Sequence, residues 1–85
     1  MLKPPMSHPV RAAGELGPVL RALRQSRGWS QAALGDRLGL SQERISAIER
    51  HPERITVQQL LGVLMALDAQ LSVDMRRPPP AAGPW

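Results

Sequence analysis

In residues 41–50, SQERISAIER, the side chains capable of directional hydrogen bonding recur at helical spacing. At about 100° per residue and with Ile45 at zero, Ile48 falls at about 300°, so a buried seam centres near 330°. On the opposite side stand Glu43 at about 160°, Arg50 at about 140°, Ser46 at about 100° and the small Ala47 at about 200°. Gln42 at about 60° and Arg44 at about 260° occupy the flanks. Gln and Arg can form paired hydrogen bonds with a nucleic-acid base edge, Ser can donate to a base or a phosphate, and Ala47 leaves room or meets a thymine methyl. Glu43 repels phosphate but can accept from cytosine, and Arg44 is suited to either kind of contact. Gln31, at the start of the preceding helix, joins that helix's free N-terminal N–H groups, which together could hold one backbone phosphate. A polar face is equally what a solvated surface helix carries, so its meaning rests on the elements around it.

Those elements are legible. Ser30 reads as the N-cap of a helix over 31–38 and Ser41 as the N-cap of one over 42–50, with Gly39 as the left-handed residue between them. Two short helices joined by a tight glycine turn make a helix-turn-helix, whose second helix can enter a major groove. Gly35, inside the first of the pair, costs about 1 kcal/mol relative to alanine. It is expected to permit close crossing of the two helices, where anything larger than a methyl would hold them apart, so alanine should be tolerated. Leu34, Leu38, Leu40, Ile45 and Ile48 are the expected shared core.

Upstream, Leu16, Val19, Leu20 and Leu23 form one helical stripe, while Arg21, Arg24, Gln25 and Arg27 face away. Pro18 restricts the helix start to 14–17, and Gly28 ends it. Downstream, Pro52 stops the 42–50 helix, and Thr56 with Gln59 forms a capping box for a fourth. Its stripe of Val57, Leu60, Leu61, Leu64 and Leu67, widened by Met65 and Ala66, offers enough apolar surface for both a core and a second subunit. After Asp68 the period becomes two, with Leu71, Val73 and Met75 alternating with polar residues. A lone strand must pair with another chain or stay frayed.

The expected organisation is a disordered arm over 1–13, a helical DNA-binding domain over 14–68, a dimerisation strand over 69–76 and a flexible proline-rich tail over 77–85 ending in Trp85. The tail's spaced indole suits a pocket on a partner protein, or else folds back or stays loose. Trp29 is expected in core or helix-junction packing.

The 85 residues suffice for one small domain, and a net charge of +4, with ten arginines among eleven Lys+Arg, favours a phosphate-rich or acidic partner. Zero cysteines remove disulfides and thiolate metal sites, and His8 and His51 each adjoin a proline in a loop, so no metal or other cofactor is expected. No apolar run approaches the roughly 18 residues of a membrane span, and the proline-broken start is neither a signal nor a transit peptide, which points to the cytoplasm. No nucleophile with a matched base, carboxylate pair or phosphate loop points to an enzyme.

Residues 15–67, through LRQSRGWSQAALGDRLGLSQERISAIE, resemble the lambda-repressor-like (Xre/Cro) helix-turn-helix family. The resemblance implies a small all-α bundle of four or five helices, here with one added C-terminal strand. It also implies phosphate or base contacts for Gln31, Ser41, Gln42, Glu43 and Ser46, and a structural pairing of Arg24 with Glu49. Ala47 and Glu43 depart from the repressors, so no operator sequence carries over. Within the family, GWSQ, the strand and the terminal tryptophan resemble HipB-type antitoxins. That further resemblance implies a homodimer pairing its strands across a two-fold axis, a palindromic double-stranded operator, repression of its own operon and a HipA-type serine/threonine kinase toxin as partner. A stand-alone Xre regulator and a pure protein-interaction module are the alternatives.

Overall fold

A computed structural model describes residues 7–76. Four α-helices follow one another: α1 (Leu16–Ser26), α2 (Gln31–Leu38), α3 (Gln42–Arg50) and α4 (Val57–Ala66), with single 3-10 turns at Ala13–Glu15 and Pro52–Arg54. Trp85 lies outside the described residues.

The starts of α2, α3 and α4 have the chemistry their sequence promised. Ser30 Oγ accepts from the Ala33 N–H at 3.0 Å and Ser41 Oγ from the Arg44 N–H at 3.1 Å. At α4 the Thr56 hydroxyl accepts from the Gln59 N–H at 3.0 Å, while Gln59 Oε1 accepts from the Thr56 N–H at 2.9 Å. Such caps satisfy donors that a helix end cannot pair internally. Ahead of α1, the Glu15 carboxylate accepts from the N–H groups of Arg11 and Ala12, and these bonds hold its pKa below the usual carboxylate range.

The core joins all four helices through Leu20, Leu34, Ile45, Ile48, Leu60, Val63, Leu64 and Leu67. Leu16, Leu23, Trp29, Leu38 and Ile55 pack around it. Leu40, expected in this core, sits instead on the exposed turn between α2 and α3, because its chain position carries the carbonyl that folds back over α2. The apolar stripe of α4 divides. Leu60, Leu64 and Leu67, joined by Val63, are buried, whereas Val57, Leu61 and Met65, four residues apart in series, remain exposed.

Gly35 is where the sequence reading needs correction. A Cβ there would stand 2.4 Å from the backbone oxygen of Leu40, so even alanine is too large. The obstacle is the α2–α3 turn rather than a side chain of α3. That turn closes with the Leu40 N–H donating to the Gly35 carbonyl at 2.8 Å and with Gly39 at φ +70°. Gly17, which the sequence reading passed over, has the same role between α1 and α3: its Cβ would meet the Glu49 carbonyl oxygen.

The end of α4 is tied to the end of α1. Arg27 Nε donates to the Leu67 carbonyl at 3.2 Å and its Nη2 lies 3.0 Å from Asp68 Oδ2. Asp68 takes φ +57°, a left-handed backbone that Asp adopts more readily than most residues. From Ala69 to Arg76 the chain has no regular structure, and no strand is present among the described residues. The expected strand at 69–76 has no ladder to join within one chain, which is its physical reason.

Candidate nucleic-acid interface

α3 is seated by three residues on one side. Ile45 and Ile48 are 1% and 3% exposed, and Glu49 is buried beside them. Gln42, Glu43, Arg44 and Arg50 are exposed on the rest of the helix, with Ser46 and Ala47 half-buried at the borders. Ser41 caps the helix from the exposed side, so its hydroxyl oxygen is occupied by the Arg44 N–H while its own proton stays free to donate. Arg50 bends back over the last turn, its Nε donating to the Ser46 carbonyl at 3.4 Å. Glu43 lies in the first turn and Arg50 in the last, each matched in sign to the helix dipole.

Gln31 occupies the first position of α2, half-buried, and its amide is not free to wander. Gln31 Nε2 donates to Glu49 Oε1 at 3.1 Å. The orientation follows from chemistry, since a carboxylate can only accept and the amide must present its nitrogen. Glu49 in turn is held by a fork from Arg24, Nε to Oε2 at 2.6 Å and Nη2 to Oε1 at 3.1 Å. Arg24 completes its bonding by donating from Nη1 to the Trp29 carbonyl at 2.8 Å. One buried ion pair therefore joins α1 to α3 and fixes both the α1–α2 turn and the first residue of α2. The stripe reading put Arg24 on the outward face of α1, but the ion pair buries it to 7% exposure.

Burial pushes the Glu49 carboxyl up. The bonds from Arg24 and Gln31 and the charges of Arg24 and Arg21 outweigh it, so its pKa falls below the ordinary range. The same hydrogen bond raises the Arg24 pKa. Because Ser30 caps only Ala33, the N–H groups of Gln31 and Ala32 point off the end of α2 without an intrahelical acceptor. α2 thus presents a fixed amide and a positive helix end beside the polar face of α3.

Among the described residues no group of His, Asp and Glu is placed to hold a metal ion, and no helix is long and apolar enough to cross a membrane. Leu71, Val73 and Met75 are 50%, 91% and 97% exposed. The sequence reading also missed the stack formed by Trp29: the Arg37 guanidinium stands 4.0 Å above its ring and that of Arg27 5.9 Å. The signal was available in the cation-rich spacing around GWS but carries no periodicity.

A family model described as helix-turn-helix matches residues 20–73. The chain belongs to the helix-turn-helix family. It is 27% identical over 59 residues to the antitoxin HipB of Escherichia coli (strain K12), spanning 69% of this chain and 67% of HipB. It is 35% identical over 69 residues to the HTH-type transcriptional regulator SutR of the same strain, spanning 81% of this chain but 38% of SutR. The solved HipA-HipB-O2-O3 complex contains a chain of the same fold, with a TM-score of 0.74 at 22% identity over 84% of this chain and 100% of that one. This helix-turn-helix chain is of the lambda-repressor-like kind and resembles the HipB-type antitoxins.

Proposed function

We propose that this chain is a sequence-specific DNA-binding repressor that acts as the antitoxin of a HipA-type serine/threonine kinase and represses its own operon. The observation that carries the DNA reading is the pairing of a polar, largely exposed α3 face with a Gln31 amide anchored through Glu49. Gln42, Ser46 and Arg44 then meet base edges, Glu43 accepts from cytosine, and Ser41, Arg50 and Gln31 hold phosphates on either side. Exposed apolar residues support the homodimer. Leu71, Val73 and Met75 alternate along an unpaired segment, and Val57, Leu61 and Met65 line α4. Two such segments pairing across a two-fold axis would satisfy their backbones and place two α3 helices on a palindromic operator.

The kinase partnership rests on the likeness to HipB and on Trp85, a large apolar side chain in the proline-rich sequence RRPPPAAGPW. Mobility-shift titration on the DNA upstream of the chain's own gene, with and without the product of the neighbouring gene, tests both halves. A shift that the neighbouring product modifies supports the antitoxin. A shift that it leaves unchanged favours a stand-alone regulator, the reading that the identity to SutR supports. No shift would leave a protein-interaction module.

A further inference from the structure

We infer that Arg21 of α1 is a backbone-phosphate ligand, working beside Gln31 at the edge of the DNA interface; the inference rests on the DNA reading above. Arg21 Nε lies 3.8 Å from Glu49 Oε1, and Gln31 Nε2 lies 3.1 Å from that same oxygen. The guanidinium and the amide are therefore neighbours of one atom, although their residues belong to different helices.

Glu49 does not need this second cation. Its oxygens already accept two bonds from Arg24 and one from Gln31, and Arg24 alone balances its charge. At 3.8 Å, Arg21 is attracted without being hydrogen-bonded, so its five N–H donors remain available. Its side chain is 59% exposed, against 9% for that of Arg24. Gly17, Pro18, Ala22 and Gln25 surround it with low, uncharged surface, and Glu49 is the one acid lining that depression. The result is a surplus positive charge, loosely steered by Glu49 and standing next to the amide and the positive end of α2. A fork of donors in that position suits a phosphate oxygen pair.

The test is the salt dependence of affinity for a duplex from the chain's own upstream region. Each neutralised phosphate contributes about 0.9 to the slope of log affinity against log salt. Arg21→Gln should reduce the slope by about that amount, weaken binding alike on specific and scrambled duplexes, and leave thermal unfolding unchanged. Arg21→Lys should restore the slope. Arg37→Gln removes an equal charge at the far end of α2 and should keep the wild-type slope. A wild-type slope in Arg21→Gln, or an equal fall in Arg37→Gln, would overturn the assignment alone. A wild-type chain that fails to bind the duplex would overturn the DNA reading and the assignment with it.

Discussion

The carbonyl oxygen of Leu40 occupies the space that a side chain on Gly35 would need, 2.4 Å from the position of its Cβ. Helix propensity and the entropy of the unfolded chain favour Gly35→Ala by at most about 1 kcal/mol. The collision is with backbone, which cannot rotate away, and overpacking of this kind costs about 1–3 kcal/mol. Gly35→Ala should therefore lower stability, as should Gly17→Ala. Gly62, whose Cβ would meet nothing within 4 Å, is the internal comparison and should gain about 0.5–1 kcal/mol as alanine. Denaturant melts of the three variants check the order.

Acid should loosen the fold through Glu49. Its folded pKa is depressed, so its contribution is fully present above the unfolded glutamate value of about 4.3 and is lost as pH falls through the lower folded value. Glu49→Gln should flatten the part of the stability–pH curve below about pH 4.3. At neutral pH, Glu49→Ala leaves the buried Arg24 unpaired and should cost about 3–5 kcal/mol. A Glu49→Gln curve parallel to wild type through that acid range would contradict the linkage.

Two kinds of DNA contact should separate by mutation. The double change Gln42→Ala and Ser46→Ala should flatten base preference, each lost paired contact being worth about 1–3 kcal/mol. Gln31→Ala should weaken all sequences alike, as should Glu49→Gln to a lesser degree, since it loosens the Gln31 amide. Selection from a randomised duplex pool reports both effects.

Self-association should depend on residues 71–75. Val73→Pro removes one ladder donor and should move the dimer toward monomer and weaken operator binding with it. Sedimentation at micromolar concentration checks the first effect. A monomeric wild type would contradict the paired segments.

Trp85→Ala should leave operator affinity unchanged while weakening capture of the proposed HipA-type kinase partner at least about tenfold, which corresponds to roughly 1.4 kcal/mol. Isothermal titration of both tails against the kinase decides the point, and equal affinities would remove Trp85 from the partnership.

The helices were legible because their ends carry local chemistry. Ser30, Ser41, Thr56 with Gln59, and Gly39 each act within a few residues of themselves, and α2, α3 and α4 lie where those signals put them, while α1 falls within the bounds that Pro18 and Gly28 set. The polar face of α3 followed from the same periodicity. What escaped was long-range and backbone-mediated. The sequence shows that Gly35 is small, but not that the Leu40 carbonyl returns over it, and it gives no hint that Gly17 meets the Glu49 carbonyl. Periodicity likewise turned Arg24 outward, since a pattern of polarity cannot display a partner 25 residues away; the family resemblance supplied that pairing. The alternation over 71–75 marks a segment with strand character, but no strand is present among the described residues, and the proposed ladder would need a second chain.

The most direct measurement is an equilibrium titration of the wild-type chain, at one fixed salt concentration, against a duplex from its own upstream region and against the same duplex scrambled. A specific helix-turn-helix repressor should prefer its own site by about 10³-fold or more, and the Gln42→Ala and Ser46→Ala double variant should lose most of that preference. Equal affinities for the two duplexes, with the wild type dimeric and folded, would contradict base reading by α3.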